Sequence, residues 1–233
     1  MLVLGIDEMI LNFTSQQNDL RERISLQNNF LKNQINLVAG VDIAYWSKNN
    51  KEYGACCIQV FDFSSKKLVE QVDYMNEITI PYISGFLAFR ELPLILEAVK
   101  KLKTNPNLYM FDGNGYLHKR HMGIATHASF YLDKPTIGVA KTYYKIDNID
   151  FIMPENIAGA FTDIVIDGEI YGRALRSRKD VKPIFVSCGN WIDLDTAINI
   201  TMHFIENQSR LPITTRYADL ATRQARKLHQ RGI

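Results

Sequence analysis

Three apolar stretches follow one another early in the chain, with too little sequence between them for a crossover helix. They are 36–45, carrying Leu37, Val38, Val41 and Ile43; 53–63, which is nearly continuous; and 67–80, which alternates more loosely. A parallel connection needs about a dozen residues or more, whereas the second gap is little more than a Ser64-Ser65-Lys66 turn. The three stretches are therefore predicted to pair antiparallel. Beyond them the pattern alternates. A helix is predicted over 86–103, with Leu92, Ile95, Leu96 and Val99 on one face. A short buried strand over 108–112 runs into the turn Asp112-Gly113-Asn114-Gly115, followed by a helix over 123–132 and a strand over 136–140. Further strands are read at 162–166 and 183–187, and helices at 194–207 and 214–229. Ahead of the first strand, Leu20, Ile24 and Leu31 share a helical face, which predicts an amphipathic helix over 14–34 interrupted at Gln27. The expected fold is α/β: a mixed central sheet, three antiparallel strands followed by parallel strands, flanked by helices.

No Ser/Gly-rich or low-complexity tract divides the 233 residues, of which 46% are hydrophobic, so one domain over 1–233 is expected. The opening Met-Leu-Val-Leu-Gly-Ile is broken at once by Asp7 and Glu8 and has no basic leader, unlike a signal peptide. No apolar run approaches the roughly 20 residues that span a bilayer. Cys56, Cys57 and Cys188 are too few and too awkwardly spaced for a disulfide framework, and read as core thiols in a reducing compartment. A soluble, monomeric, cytoplasmic protein is expected. The net charge of +2 does not by itself argue for a nucleic-acid partner. Two basic runs do offer phosphate contacts: Arg173, Arg176, Arg178, Lys179 and Lys182, and Arg216, Arg223, Arg226, Lys227 and Arg231. A solvated helix face carries the same pattern.

The acids are more telling. Asp42 sits inside Val38-Ala39-Gly40-Val41-Asp42-Ile43-Ala44, where a lone carboxylate is costly to bury. It must be paired, protonated or bound to a cation. Asp112 ends the strand Leu108-Tyr109-Met110-Phe111, the usual place for a ligand crevice in an open α/β sheet. Glu91 falls early in the next predicted helix back along the chain, within reach of the same crevice. A single buried Asp is more often a cap or an ion-pair partner; two strand-borne acids with a helical third favour shared coordination. An all-oxygen site suits Mg²⁺ or Mn²⁺ rather than zinc.

With these residues in view, the chain resembles the endonuclease V family. The resemblance rests on segments in the same order and spacing: Val-Ala-Gly-Val-Asp-Ile-Ala-Tyr (38–45), Pro-Tyr-Ile-Ser-Gly-Phe-Leu-Ala-Phe-Arg-Glu (81–91), Asp-Gly-Asn-Gly-Tyr-Leu-His (112–118) and Pro-Thr-Ile-Gly-Val-Ala-Lys (135–141). Gly-Arg-Ala-Leu-Arg (172–176), Lys-Pro-Ile-Phe-Val-Ser (182–187) and Thr-Arg-Tyr-Ala-Asp (215–219) follow. The resemblance implies an RNase H-like fold and a Mg²⁺-dependent endonuclease that cuts DNA containing deoxyinosine, and in some members inosine-containing RNA. The cut falls at the second phosphodiester 3′ to the lesion and leaves 3′-hydroxyl and 5′-phosphate ends, as a step of DNA repair. It implies that Asp42, Glu91 and Asp112 bind metal, that Asp219 takes the fourth active-site position, and that Lys141 contacts phosphate. Tyr82 takes the place of a wedge that fills the gap left by a displaced base, and Gly85, Leu87, Gly113, His118 and Ile124 fall where the base pocket is built. Ser84 stands where relatives carry the second proline of Pro-Tyr-Ile-Pro, and Ser187-Cys188-Gly189-Asn190 stands where they carry Ser-Pro-Gly-His. Asn190 is assigned no role, and Lys119-Arg120-His121 also departs from the family pattern.

The chemistry of each position agrees with these expectations. A base inspected inside a duplex must leave the stack, and a rigid aromatic can fill the vacancy. Glycines at 113 and 115 allow close backbone approach, or simply a tight turn. A lysine after a strand can hold a phosphate oxygen or offset the acids. His118 can orient water or donate a proton, though a lone His is more often structural. Two other classes share these features: a non-catalytic nucleic-acid-binding protein of the same fold, which the full set of acids argues against, and a nuclease for junctions or hybrids, which the wedge motif argues against.

Overall fold

The computed structural model describes residues 5–230; the opening tetrapeptide and Arg231 lie outside the described residues. A helix α1 (Ile6–Arg21) leads through a 3₁₀ turn (Lys32–Gln34) into β1 (Leu37–Lys48), β2 (Lys51–Asp62) and β3 (Leu68–Glu77). Then come α2 (Leu87–Val99), β4 (Leu108–Phe111), α3 (Ile124–Leu132), β5 (Thr136–Ala140), β6 (Phe161–Ile166), β7 (Glu169–Leu175), β8 (Ile184–Asn190), α4 (Leu194–His203) and α5 (Ile213–Gln230). The strands form one sheet in the order β3-β2-β1-β4-β5-β8-β7-β6.

The antiparallel opening is as expected. Asn49 and Asn50 close the first hairpin, both at positive φ (52° and 59°), the left-handed pair that matches strand twist. Asp62 Oδ1 accepts from the Ser65 backbone N–H and hydroxyl, both at 2.7 Å, and shapes the second turn. β4 then pairs parallel to β1, and β5 parallel to β4, giving the RNase H-like half of the sheet. Parallel pairing stops there: β8, β7 and β6 each add antiparallel, a correction to the expectation of parallel strands after the third.

Two elements differ from the sequence reading. The first helix ends at Arg21, well before residue 34. The polar stretch after it binds the start of α4 instead: Asn28 donates to the carboxylate of Asp193, and the Ser25 carbonyl accepts from the Trp191 N–H at 2.7 Å. β7 was not anticipated. It carries Arg173 directly opposite Asp163 of β6, and their 2.8 Å ion pair makes a strand out of a segment that looks polar.

One apolar layer joins Leu108, Met110, Ile137 and Val139 to α4 and the start of α5. The other joins Ala39, Val41, Tyr109 and Phe111 to α2 and α3. The three cysteines are buried and unpaired. Gly40 explains how close α5 comes: a Cβ there would lie 2.1 Å from the Thr214 carbonyl oxygen, so only glycine lets the helix backbone rest on β1. That contact sets the rest of α5 beside Asp42.

Candidate active site

Asp42 and Asp112 end up side by side because their strands do. Val41 pairs with Phe111 across the parallel ladder, and the Asp112 N–H donates to the Val41 carbonyl at 3.0 Å. By the two-residue period, both acids face α5, on the side that carries Gly40, Leu108 and Met110. α5 adds Asp219, and one carboxylate oxygen from each of Asp42, Asp112 and Asp219 lies within 4.8 Å of the others. Lys141, just past β5, donates to Asp112 at 2.5 Å and lies 3.4 Å from Asp219. The Thr222 hydroxyl, buried on α5, donates to Asp42 at 2.6 Å. Arg223, more exposed, pairs with Asp219 at 2.9 Å.

Negative charge is under-compensated in this group. Burial, then Asp112, pushes the Asp42 carboxyl up to about 7, against the pull of the Thr222 hydrogen bond. Burial alone would lower Lys141; its hydrogen bond to Asp112 together with the charges of Asp112, Asp219 and Asp42 outweighs that and raises it. Glu91 lies outside the three-acid group, yet it lines the same crevice of about 40 Å³, with Asp42, Asp112, Ile95 and Ile124. Burial pushes the Glu91 carboxyl up to about 8, against a short hydrogen bond from the Tyr45 hydroxyl. Four carboxyls, all oxygen donors and short of counter-charge, fit a hard divalent cation. Wider grooves exist, such as one of about 530 Å³ along α5 and β3, but none of those described contains the acidic group.

The other expected residues gather at the entrance to α2. Tyr82 is 68% exposed on the loop 81–85. Gly85 closes that loop at φ +81°, and Leu87 begins α2 half-buried. Ile124, at the start of α3, packs over Gly113, where a Cβ would come within 2.7 Å of it. His118 is buried and lies parallel to the Tyr144 ring at 5.6 Å. Burial, helped by Arg120, lowers its pKa to about 3, so the ring is neutral near pH 7.

Tyr45 and Thr222 went unnoticed in the sequence, although each touches an acid of the crevice. Thr222 had a signal: it lies three residues beyond Asp219, on the same helical face. Tyr45 had only its place on the opposite face of β1 from Asp42. Two arginines of the first basic run prove structural. Arg173 is held by Asp163 and Asp195, and the Arg176 guanidinium donates to the carbonyls of Pro154, Glu155 and Val181. Asn190 holds the segment after α1, accepting from the Ser25 N–H at 2.8 Å.

A family model described as Endonuclease V matches residues 18–220. Endonuclease V of Bacillus thuringiensis subsp. konkukian is 60% identical over 234 residues, spanning 100% of both chains. The crystal structure of the Bacillus subtilis endonuclease V superposes with a TM-score of 0.93 at 56% identity, covering 96% of this chain and 94% of that one. Ciona intestinalis endonuclease V, solved in complex with a 24mer DNA containing an inosine followed by a ribo-adenosine, superposes with a TM-score of 0.84 at 28% identity, covering 95% of this chain and 98% of that one.

Proposed function

The chain belongs to the endonuclease V family and is a nuclease, and from this premise we propose that it is a magnesium-dependent repair enzyme for deaminated adenine. It recognises hypoxanthine in DNA and hydrolyses the second phosphodiester bond 3′ to it, leaving 3′-hydroxyl and 5′-phosphate ends. It acts as a monomer. The observation that carries the metal reading is the convergence of Asp42, Asp112 and Asp219 from β1, β4 and α5, with oxygens within 4.8 Å of one another. Asp42, Asp112 and Glu91 would hold Mg²⁺, for which Mn²⁺ can substitute, with Asp219 beside them. Bound there, the ion would help deprotonate a water and stabilise the charge that builds on the phosphodiester.

The chain's own residues divide the remaining work. Thr222 fixes the orientation of Asp42, and the Tyr45 hydroxyl does the same for Glu91. Lys141 bridges Asp112 and Asp219 and offers its remaining N–H donors to a phosphate oxygen. Tyr82, exposed on its loop, occupies the gap in the base stack once the lesion is displaced. Gly85, Leu87, Gly113, His118 and Ile124 line the pocket that receives the base. A neutral His118 and the backbone around Gly113 can hydrogen-bond the hypoxanthine edge without placing a charge against it. Arg178, Lys179 and Lys182, and Lys227 of α5, are left for backbone phosphates, whereas Arg226 donates to the Tyr45 carbonyl at 3.5 Å.

No helix among the described residues is long and apolar enough to cross a bilayer. A cleavage panel tests the whole proposal, using inosine-bearing, undamaged, junction and RNA–DNA hybrid substrates with and without Mg²⁺, with inosine RNA alongside. Inosine-bearing duplex should be cut at one position, and only with the cation. Equal cutting of undamaged duplex overturns the lesion specificity.

A further inference from the structure

α1 is mostly solvent-exposed, and the residue it buries completely is a glutamine. Gln17 is 0% exposed, and its amide reaches across to the entrance of α2. The Gln17 Oε1 accepts from the Arg120 Nε at 2.6 Å, and its Nε2 donates to the Gly85 carbonyl at 3.3 Å. The guanidinium of Arg120 donates to the same Gly85 carbonyl at 2.7 Å and lies 4.1 Å over the Phe86 ring. The fit leaves no slack. A Cβ at Gly85 would sit 2.8 Å from the Arg120 guanidinium, and the +81° φ there already favours glycine. The other end of the loop is tied as well, since the buried Arg90 donates to the Ile80 carbonyl at 2.9 Å. Tyr82 and Ser84 stand exposed between these two anchors, and the only backbone hydrogen bond described there is from the Phe86 N–H to the Ile83 carbonyl, at 3.0 Å.

Ser84 sharpens the point. Where the family pattern has a second proline, the ring would limit φ and stiffen the loop from within. This chain lacks that restraint and carries an external one, supplied by a helix outside the α/β alternation. We propose that Gln17 and Arg120 are positioning residues that hold the Tyr82 loop in the pose used to recognise the lesion. This inference rests on the proposed role of Tyr82. It places α1, remote in sequence from every acid of the crevice, in the recognition apparatus rather than in the scaffold alone. A buried glutamine whose two amide atoms are both used is costly to replace by an apolar side chain, because Arg120 and the Gly85 carbonyl would each lose a partner.

The test separates the loop's restraint from its use. Hydrogen exchange across 81–87 would be followed in the full chain for wild type, Gln17→Leu, Gln17→Glu and Arg120→Lys, with the β1 and β4 segments as internal controls for global stability. Gln17→Glu keeps the acceptor for Arg120 but sets a buried carboxylate oxygen against the Gly85 carbonyl, so it should lose part of the protection. Arg120→Lys covers the case in which Gln17→Leu does not fold. In Gln17→Leu and Arg120→Lys, exchange of the Phe86 amide, which donates to the Ile83 carbonyl, should quicken about tenfold while β1 and β4 hold. Affinity for inosine duplex over plain duplex, measured with Ca²⁺ in place of Mg²⁺, should fall about fivefold to tenfold. The single-turnover rate at saturating enzyme and Mg²⁺ should stay within about twofold, a split that a general loss of structure would not give. Unchanged exchange in both variants overturns the clamp. Faster exchange with undiminished preference for inosine overturns its part in recognition. If wild type itself shows no preference for inosine, the functional reading fails, while the exchange data still decide whether the clamp exists.

Discussion

The acidic crevice and the Tyr82 loop meet at the start of α2, yet they are built by opposite means. Asp42 and Asp112 are placed by the register of a parallel strand pair, and Asp219 by a helix that rests on Gly40. Moving any of them means moving the sheet or α5. The crevice is buried, short of positive charge, and holds carboxyls far above their ordinary range. The loop has little packing of its own: Tyr82 is 68% exposed, and the segment hangs between hydrogen bonds to two backbone carbonyls. The difference teaches where each kind of precision comes from. On the proposed function, geometry for phosphodiester chemistry is inherited from the fold, whereas the recognition element is added to it and held by a few side chains. The two should therefore fail separately.

The strongest way to break that separation is at the crevice. Asp42→Asn or Asp112→Asn removes a charge proposed to bind the cation while leaving the shape and the loop in place. Loss of several kcal/mol of transition-state stabilisation corresponds to a fall of roughly a thousandfold or more in Mg²⁺-dependent cleavage, with inosine-duplex affinity kept within a few-fold. Single-turnover kinetics and gel-shift binding on the same variants check both halves. Full activity in both would remove the metal assignment. The loop gives the converse and smaller effect. Tyr82→Ala should reduce preference for inosine duplex over plain duplex about tenfold, with stability altered by no more than about 0.5 kcal/mol, because the side chain is exposed. Lesion affinity equal to that of wild type would mean that Tyr82 is not a wedge.

The same contrast explains what was legible in the sequence. Asp42 and Asp112 stood out because a carboxylate in an apolar strand needs a reason, and strand register brought them together as expected. Lys141 and Asp219 were found through motif resemblance, and the structure brings both against Asp112 or its neighbour. Tyr45 and Thr222 were missed because a hydroxyl on a strand or a helix is unremarkable until its partner is known. The clamp on the loop was invisible for a related reason: Gln17 and Gly85 are 68 residues apart, and nothing local marks a glutamine as buried. Helix periodicity misplaced the end of α1, since Leu26 and Phe30 pack against the α4 layer from a non-helical segment. β7 escaped because its cross-strand ion pair hides the alternation that marks a half-buried strand.

The smallest expected effect concerns stability alone and tests the crevice without any substrate. Burial raises the carboxyl of Asp42 to about 7 and that of Glu91 to about 8 in the folded chain, whereas both revert to ordinary carboxylate values when it unfolds. Between about pH 4 and pH 8 these two carboxyls thus hold more protons in the folded state than in the unfolded state, and their contribution to stability must fall as pH rises through that window; the buried neutral His118 and His127 act oppositely below the ordinary histidine range. The carboxyl contribution is fully present below the ordinary carboxylate range and is lost once pH passes the raised values. A divalent cation favours the ionised carboxylates and supplies the missing counter-charge, so it should stabilise most where the acids are deprotonated. The melting temperature of metal-free protein should therefore drop from about pH 6.5 to pH 8, where the histidines no longer oppose it, and Mg²⁺ should restore several degrees at pH 8 and little at pH 5, at about 2–4 °C per kcal/mol for a chain of this size. Asp42→Asn should flatten both dependences, because the amide neither titrates nor binds the ion well. Tyr82→Ala should leave both as in wild type. A Mg²⁺ effect independent of pH, or one that Asp42→Asn retains, would place the cation elsewhere, whereas a response lost in Tyr82→Ala would show that crevice and loop are not independent after all.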